Sequence, residues 1–255
     1  MKISGLGALV SGGASGLGEA TVRALAGRGA IVTVLDRDAS RARALADEIS
    51  SGASYVSGDV GDPEAVLRAV EQASASAVLR INVNCAGIGW AQRTTGRHGE
   101  PHDLDAFKTV VSVNLVGTFN VMRLAAAAIS KTEPLDDGER GVVINTASVA
   151  AFEGQTGQIA YSASKAGIVG MTLPAARDLS AAGIRVNTIA PGVMDTPLLG
   201  LLPEENRQAL GQGVLFPRRL GKAQEFAELV IAIVENRYLN GETIRLDGGL
   251  RMPPR

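Results

Sequence analysis

The sequence is poor in residues that bind transition metals or form covalent cross-links. Its 255 residues include one cysteine and two histidines. A single cysteine cannot form a disulfide within the chain. One cysteine and two histidines also provide too few soft ligands for the zinc site of a typical zinc enzyme. We therefore predict no metal site.

An excess of charge and a long apolar run are also absent. The formal net charge is −1, which provides no general attraction to nucleic acid or to an anionic membrane. No apolar run reaches the ~18 residues of a membrane span. A strand pattern begins at Leu6, which leaves no room for a signal or transit peptide. These features predict a soluble cytoplasmic protein that binds neither nucleic acid nor membrane.

Apolar residues are plentiful and occur in short runs. They make up 45% of the chain, enough for a substantial core. The runs alternate with amphipathic segments. The predicted strands are Leu6–Ser11, Ile31–Leu35, Ser54–Ser57, Leu79–Asn84, Val142–Asn145, Arg185–Ile189 and Thr243–Leu246. The predicted helices are Gly16–Arg28, Ser40–Ile49, Pro63–Ser74, Leu104–Ser130, Gly157–Ser180, Glu204–Leu210 and Ala223–Glu235.

The alternation of strands and helices indicates the fold class. Near-continuous apolar strands separated by helices are typical of a parallel sheet that is covered on both faces. The sequence contains no internal repeat and no linker. We therefore predict an α/β protein in which residues 1–255 form a single Rossmann domain, with a doubly wound, seven-stranded parallel sheet and helices on both faces.

Three segments depart from the alternation. Ala91–Asp103 is polar and predicted to be a loop. Glu133–Arg140 is rich in charge and predicted to be a surface insertion before the fifth strand. Pro174 interrupts a helical pattern, and because its ring would clash with the carbonyl group of Gly170, we expect a kink there.

A glycine-rich turn follows the first strand and begins the first helix. Glycines let the backbone approach a pyrophosphate, and a helix N-terminus supplies N–H donors and positive potential. A tight connection without a ligand is the alternative, but the position between strand and helix favours a dinucleotide site. The residues predicted to contact the dinucleotide here are Ser11, Gly12, Ser15, Gly16, Leu17 and Gly18.

An acidic residue at the end of the second strand bears on the choice of dinucleotide. Asp36 stands where a carboxylate can accept hydrogen bonds from both hydroxyls of the adenosine ribose, and it would repel a 2′-phosphate. Arg37 could instead favour that phosphate, but the carboxylate comes first at the strand end. We therefore predict NAD as the cofactor. The alternative is that Asp36 is a solvated charge in a turn.

Two further strand ends are predicted to line the same site. Asp59 and Val60 follow the third strand, where the adenine would lie. Cys85, Ala86 and Gly87 follow the fourth strand, and small residues there let the backbone pass close to a cofactor. Cys85 is better interpreted as a small buried residue than as a nucleophile, because no histidine accompanies it in the motif.

Three side chains that can move a proton lie between residues 145 and 165. Ser148 follows the fifth strand, and Tyr161 and Lys165 share one face of a predicted helix. A phenol with a pKa near ~10 is a poor base at neutral pH, but a nearby ammonium group lowers that pKa. The three side chains could remove a proton from an alcohol or return one. Alone, the Tyr and Lys pair is also compatible with ordinary helix residues.

These motifs together closely resemble the short-chain dehydrogenase/reductase family, over essentially the whole chain. Each motif is weak alone, and the combination is specific. The motifs are Ser11-Gly12-x-x-x-Gly16-x-Gly18, Asn84-Cys85-Ala86-Gly87, Ser148, Tyr161-x-x-x-Lys165 and Pro191-Gly192. A finer likeness, to family members that act on 3-hydroxyacyl-CoA esters, is carried by Asn145–Gly154, Ile168–Pro174, Arg177–Leu179, Asn240–Glu242, Ile244–Gly248 and the insertion before the fifth strand.

The resemblance implies roles for individual residues. Tyr161 would be the catalytic acid and base, with Lys165 lowering its pKa and holding the nicotinamide ribose. Ser148 would position the substrate oxygen, and Gln155 would also contact the substrate. Asn114 would hold a water in a proton relay, although a solvated polar residue is the alternative. The resemblance places four more residues on the cofactor, with Thr196 on its carboxamide: Pro191, Gly192, Val193 and Thr196.

The function implied by the resemblance is NAD-dependent interconversion of a secondary alcohol and a ketone. The expected substrate is a 3-hydroxyacyl-CoA ester of fatty-acid or branched-chain acyl breakdown. One alternative is a dehydrogenase of another apolar alcohol, such as a hydroxysteroid. Another is a non-catalytic nucleotide-binding scaffold, which would have no use for the complete set of proton-transfer residues. The family also implies a homotetramer.

The substrate side is less well determined by the sequence. Arg93, Arg97 and Lys108 could contact the phosphates of CoA, or they could simply be solvated. A group of apolar residues after the Pro191-Gly192 turn could cover the substrate, or could be ordinary packing of a small helix. This group consists of Leu198, Leu199, Leu201, Leu202, Leu215 and Phe216.

Overall fold

The structure is a computed structural model that describes residues 1–197, 199–201, 205 and 210–254. Most of the predicted helix 204–210 lies outside the described residues, as do Leu198 and Leu202 of the predicted apolar group.

The predicted strands are all present, and all of their ends agree within two residues. Two short strands were not expected from the sequence. In chain order the strands are β1 Gly7–Ser11, β2 Ile31–Asp36, β3 Ala53–Ser57, β4 Leu79–Asn84, β5 Gly141–Thr146, β6 Ile184–Pro191, β7 Met194–Asp195, β8 Gly221–Lys222 and β9 Thr243–Leu246.

The helices that cover the sheet also follow the predicted pattern. In chain order they are α1 Gly16–Gly27, α2 Ala39–Ile49, α3 Pro63–Ser76, α4 Leu104–Val111, α5 Gly117–Ile129, α6 Ile159–Ser180 and α7 Ala223–Glu235.

Seven strands form one sheet in the order β3-β2-β1-β4-β5-β6-β9, and all neighbouring pairs in it are parallel. The predicted fold class is therefore confirmed. β1 lies third from the β3 edge, between β2 and β4, and the chain winds away from it first towards β3 and then, through β4, towards β9. This reversal leaves a crevice at the carboxyl ends of β1 and β4, where open α/β sheets bind their ligands.

The apolar strands are buried because helices cover both faces of the sheet. Alternate residues of β1 point to opposite sides: Ala8 and Val10 join one core layer, and Leu9 joins the other. The first layer includes Leu25 of α1 and Phe226 of α7. The second layer is built from α3 and α5. Helices on both faces make the sheet rigid enough to hold loops at its carboxyl edge.

The helix predicted over residues 104–130 is divided into α4 and α5 by a π-helical turn, Ser112–Val116. Turns of this kind occur frequently at functional sites.

By length and composition the stretch Leu104–Ile129 could cross a membrane, which qualifies the expectation that no such run exists. Half of its most apolar window is buried within the protein, and core helices of water-soluble proteins commonly meet the same criterion.

α6 continues through Pro174 to Ser180. The helix is therefore not broken at the proline, and a bend there stays a prediction. Ala91–Asp103 contains no helix, as predicted, and only an isolated bridge between Thr95 and Pro101.

The prediction that Glu133–Arg140 is a surface segment is wrong for Glu139. Its side chain is 6% exposed and its Oε1 accepts a hydrogen bond of 3.0 Å from Nε of Arg185 on β6, which is 8% exposed. Its Oε2 lies 3.3 Å from Nε of Arg237. Burial of the Arg185 guanidinium lowers its pKa. A buried cation on β6 requires a buried counter-charge, which explains why this part of the insertion folds inward.

We predict that Glu139→Ala lowers the free energy of unfolding by about 3–5 kcal/mol, because it leaves Arg185 buried without its carboxylate. Asp105→Ala is the matched control, since it breaks an exposed pair with Lys108 and should change stability by about 1 kcal/mol or less. Urea unfolding of both variants measures the difference. Equal effects would show that the buried pair has no special role.

Candidate active site

A cavity of about 840 Å³ lies where the strand ends converge. Most of the predicted site residues line it, although they come from six separate segments of the chain. Those that do so are Gly12, Ser15, Gly16, Leu17, Gly18, Asp36, Asp59, Val60, Cys85, Ala86, Gly87, Ser148, Gln155, Tyr161, Lys165, Pro191, Gly192, Val193 and Thr196.

The glycine turn is shaped by backbone contacts that leave no room for side chains. Gly12 has a φ of +65°, and a Cβ there would lie 2.6 Å from Cα of Ala86. A Cβ on Gly18 would collide with the carbonyl oxygen of Gly12. The turn after β1, the turn after β4 and the first turn of α1 are therefore in direct backbone contact. This contact produces a bare backbone surface that a phosphate can approach closely.

The start of α1 fits the pyrophosphate of a dinucleotide. Ser15 is the N-cap residue, and its side chain makes no capping hydrogen bond. The N–H groups of the first turn therefore lack a side-chain acceptor, and Gly16, Leu17 and Gly18 line the cavity. Donors and positive potential at a helix N-terminus favour an anionic group there.

The carboxylate of Asp36 is held in place at the end of β2. Its Oδ2 accepts a hydrogen bond of 3.0 Å from N of Ala14, and its Oδ1 accepts one of 3.0 Å from N of Asp38. Asp36 and the exposed Arg37 both line the cavity. Together with the glycine turn, this carboxylate fits the adenosine ribose of a dinucleotide.

Ser11 is the predicted cofactor residue that does not line the cavity. Its side chain is buried, and Oγ donates a hydrogen bond of 3.1 Å to Oδ1 of Asn84. The physical reason is its position as the last residue of β1, where its side chain bonds to Asn84 on the neighbouring strand β4. Ser11 therefore supports the start of the glycine turn without lining the cavity.

A residue that the sequence did not single out holds the predicted adenine segment. Asn120 of α5 is buried, and its Nδ2 donates a hydrogen bond of 2.8 Å to the carbonyl oxygen of Val60. Its Oδ1 accepts hydrogen bonds from Arg123, the shorter 2.7 Å long. An asparagine in mid-helix carries no pattern that reveals such a contact, so sequence alone could not find it.

Ser148, Tyr161 and Lys165 meet at one wall of the cavity. Ser148 follows β5, and its Oγ accepts a hydrogen bond of 3.1 Å from N of Ala150. Tyr161 lies in the first turn of α6 and Lys165 in the next. Nζ of Lys165 is buried and donates a hydrogen bond of 2.8 Å to the carbonyl oxygen of Thr146. Thr146 is a second supporting residue that the sequence did not indicate.

The acid–base properties of this wall differ from the expectation. Burial raises the pKa of Tyr161, and the hydroxyl group of Ser148 partly opposes that rise by hydrogen bonding. Burial lowers the pKa of Lys165 to about 8. The expected lowering of the Tyr161 pKa by Lys165 is therefore not observed. The physical reason is that desolvation of the phenol dominates the shift in its pKa. Nζ of Lys165 bonds to the backbone carbonyl of Thr146, and this Nζ lies 5.8 Å from the centre of the phenol ring.

Asn114 does not line the cavity and lies directly behind it. It is fully buried in the π-helical turn, where its Oδ1 accepts a hydrogen bond of 2.8 Å from N of Ile88. Its Nδ2 donates to the carbonyl oxygen of Ile88 at 3.0 Å and to Oγ of Ser164 at 3.0 Å. The alternative of a solvated side chain is therefore wrong. Asn114 connects the cavity-lining residue Ile88 to α6.

Cys85 lines the cavity, but its thiol is not activated. Burial raises the pKa of the thiol to about 11. The protonated thiol is a weak nucleophile at neutral pH. This agrees with its interpretation as a small packing residue.

The residues expected near the substrate divide into two groups. Leu199 lines the cavity, as does Gln155. Arg93, Arg97, Lys108, Leu215 and Phe216 do not line it; Arg93 and Arg97 are exposed, and Lys108 pairs with Asp105 at 3.2 Å. Further lining residues were not predicted from the sequence. They include Trp90, Val113, Ala147, Met194, Pro197, Leu210 and Met252.

Comparisons with known proteins agree with this geometry. A family model described as short chain dehydrogenase matches residues 7–207. The chain therefore belongs to the short-chain dehydrogenase family, and it is an oxidoreductase that acts on a small-molecule substrate with a nicotinamide dinucleotide. The resemblance predicted from the motifs is confirmed.

Individual relatives are similar over nearly their whole length. The human 3-hydroxyacyl-CoA dehydrogenase type-2 is 52% identical, over 99% of this chain and 98% of the relative. A crystal structure of 3-hydroxyacyl-CoA dehydrogenase type-2 from Mycobacterium avium superposes with a TM-score of 0.96, at 47% identity and full coverage of both chains. A 3-alpha-(or 20-beta)-hydroxysteroid dehydrogenase of Mycobacterium tuberculosis is 34% identical, over 97% of this chain and 90% of the relative.

We predict that Gly18→Ala weakens NADH binding by about tenfold or more, since forcing a methyl group into a tight backbone contact costs about 1–3 kcal/mol. Gly27→Ala is the matched control in the same helix, because a Cβ there meets nothing within 4 Å. Trp90 is the sole tryptophan and lines the cavity, so its fluorescence reports binding directly. Equal affinities of the two variants would contradict the proposed role of the glycine turn.

Proposed function

We propose that this protein is an NAD-dependent 3-hydroxyacyl-CoA dehydrogenase. The observation that carries the proposal is one cavity that is lined both by the glycine turn and by Ser148, Tyr161 and Lys165. Support for the acyl-CoA substrate comes from the relatives of that name, which are about half identical to this chain over their full length.

In the proposed reaction a secondary alcohol loses a hydride and a proton. Bound NAD supplies the hydride acceptor. Ser148 orients the alcohol oxygen, and the phenol oxygen of Tyr161, in its deprotonated form, accepts the hydroxyl proton. In the reverse direction Tyr161 donates the proton to the ketone oxygen. The half-buried position of Tyr161 keeps bulk water from competing for that oxygen.

Lys165 and Asn114 support this proton transfer. Nζ of Lys165 lies one helical turn from Tyr161 and, through its bond to Thr146, is held at the cavity wall. Asn114 fixes both polar groups of the Ile88 backbone. A Cβ on Gly87 would lie 3.2 Å from Oδ1 of Asn114 and 3.4 Å from Nζ of Lys165, so the two side chains flank the same glycine. We propose that they form the path by which the proton leaves Tyr161.

A turnover screen tests the proposal. We expect wild-type protein to reduce NAD with 3-hydroxyacyl-CoA esters of several chain lengths and to do so faster as pH rises, because only deprotonated Tyr161 can accept the proton. Tyr161→Phe should lower turnover by about 10²–10⁴-fold while NADH binding stays intact. Tyr238→Phe, at a fully exposed position, is the control. Normal turnover by Tyr161→Phe, or no activity of wild type towards the esters, would contradict the proposal.

The preference for NAD rests on Asp36. We predict that Asp36→Asn lowers kcat/KM with NAD by about tenfold, because a charge-assisted hydrogen bond contributes about 1.5–3 kcal/mol. The same change should improve use of NADP, since Arg37 remains at the cavity. Asp47→Asn on α2 removes an equal charge from an exposed site and is the control. A preference of wild type for NADP would overturn the assignment.

One further candidate substrate is favoured by a specific observation. A hydroxysteroid dehydrogenase is among the relatives, at 34% identity. Hydroxysteroids therefore belong in the same screen. A non-catalytic scaffold is disfavoured, because a binding module has no use for Ser148, Tyr161, Lys165 and Asn114 together.

We also propose a homotetramer in the cytoplasm. Support for assembly comes from large apolar side chains exposed on neighbouring helices, namely Val116 of the π-helical turn, Phe119 of α5 and Leu173 of α6, each about half exposed. Sedimentation analysis would test the oligomeric state.

A further inference from the structure

The last described residues of the chain lie against the loop that carries Gln155. We call residues 251–254 the tail and residues 152–157 the Gln155 loop. Nε2 of Gln155 donates a hydrogen bond of 3.1 Å to the carbonyl oxygen of Pro253. Both N and Oγ1 of Thr156 donate to the carbonyl oxygen of Pro254, each at 3.0 Å. Prolines have no N–H group and a fixed φ, so the tail presents these carbonyls with little loss of backbone entropy.

A carboxylate in the Gln155 loop secures the start of the tail. Oε2 of Glu153 accepts a hydrogen bond of 3.0 Å from N of Met252. Its Oε1 lies 3.0 Å from Nη1 of Arg245 and 3.3 Å from Nε of Arg251. Arg245 also donates to the carbonyl oxygen of Leu250 at 3.0 Å. Glu153 therefore connects β9, the tail and the Gln155 loop through a single carboxylate.

The result of these contacts is that Met252 becomes part of the cavity wall. Met252 lines the same cavity as Ser148, Gln155 and Tyr161. On its other side the Gln155 loop is fixed by a hydrogen bond of 2.8 Å from N of Gln92 to the carbonyl oxygen of Gly157. The cavity wall beside the Gln155 loop thus includes a flexible apolar side chain whose backbone N–H is held by Glu153.

We propose that the tail determines substrate specificity: Met252 contacts the part of the substrate beyond the reacting carbon, and Glu153 is the positioning residue that keeps Met252 in place. This inference rests on the proposed function. A methionine fits this role because its unbranched side chain adapts to apolar groups of different shape. The tail therefore discriminates between substrates that differ in size next to the reacting carbon. It does not affect the affinity for the dinucleotide.

The first test measures the ratio of kcat/KM for a long-chain and a short-chain 3-hydroxyacyl-CoA ester. We expect Met252→Ala to change this ratio by about tenfold, the effect of one or two methylene groups in an apolar pocket. Met252→Leu should restore most of the wild-type ratio. The NADH affinity, read from Trp90 fluorescence, should stay unchanged in both variants. Tyr238→Ala, at the fully exposed position, is the control. A ratio that stays at the wild-type value in Met252→Ala would overturn the proposal.

The second test asks whether Glu153 acts through the tail. Glu153→Gln should raise KM for the ester and change the same ratio, with kcat largely retained. In the double variant Glu153→Gln/Met252→Ala the change in ratio should equal that of Met252→Ala alone, because coupled residues are not additive. Additive effects would exclude the positioning role of Glu153.

The tests separate failure of this inference from failure of the proposed function. If wild type does not oxidise the esters, the proposed function is wrong. The same variants are then compared on small and bulky secondary alcohols that wild type does oxidise. If Met252→Ala leaves the ratio of kcat/KM for small and bulky alcohols unchanged, the proposed role of the tail is wrong, whatever the natural substrate is.

Discussion

A buried ammonium group is the constraint on which the catalytic end of this fold depends. Desolvation of a charge is unfavourable, and it lowers the pKa of Lys165 to about 8. The bond from Nζ to the carbonyl oxygen of Thr146 partly offsets that penalty, and it ties α6 to the end of β5. Tyr161 precedes Lys165 by one turn of the same helix, so the contact that keeps the lysine satisfied also fixes the phenol over the strand ends. Stability and proton transfer therefore depend on the same side chain.

The cofactor end depends on backbone more than on side chains. Gly12 and Ala86 approach so closely that a single methyl group would not fit between them. Behind them, buried side-chain amides keep the strand ends aligned: Oγ of Ser11 donates to Asn84, and Nδ2 of Asn84 donates to Oδ1 of Asn145 at 2.9 Å. The turns after β1, β4 and β5 are thus held in one arrangement. A dinucleotide that bridges these turns meets a surface that is already formed.

The order and type of the elements could be predicted from the sequence because strands buried on both faces are apolar throughout, whereas the helices covering them are amphipathic. The glycine turn and the Tyr161 and Lys165 pair could be found because each is a short pattern with a local cause. Properties set by distant residues could not be predicted. Glu139 is buried because Arg185, 46 positions later in the chain, needs a counter-charge. The pKa of Tyr161 is raised because the effect of burial is larger than that of the hydrogen bond with Ser148. The spacing of Tyr161 and Lys165 in the sequence does not reveal how deeply the phenol is buried.

The contribution of the tail belongs to the same class of properties. Nothing in Met252-Pro253-Pro254 indicates a binding role, since the contacts to Glu153, Gln155 and Thr156 span about a hundred positions of the chain. These contacts give the cavity wall parts of different origin. The glycine turn is held by close backbone contacts and tolerates little change. The Gln155 loop and the tail are partly exposed to solvent and are joined by a few polar contacts. Substitutions in the tail can therefore alter the shape of the substrate site without disturbing Tyr161 or the glycine turn, and this is the physical basis on which one fold can serve alcohols of different size.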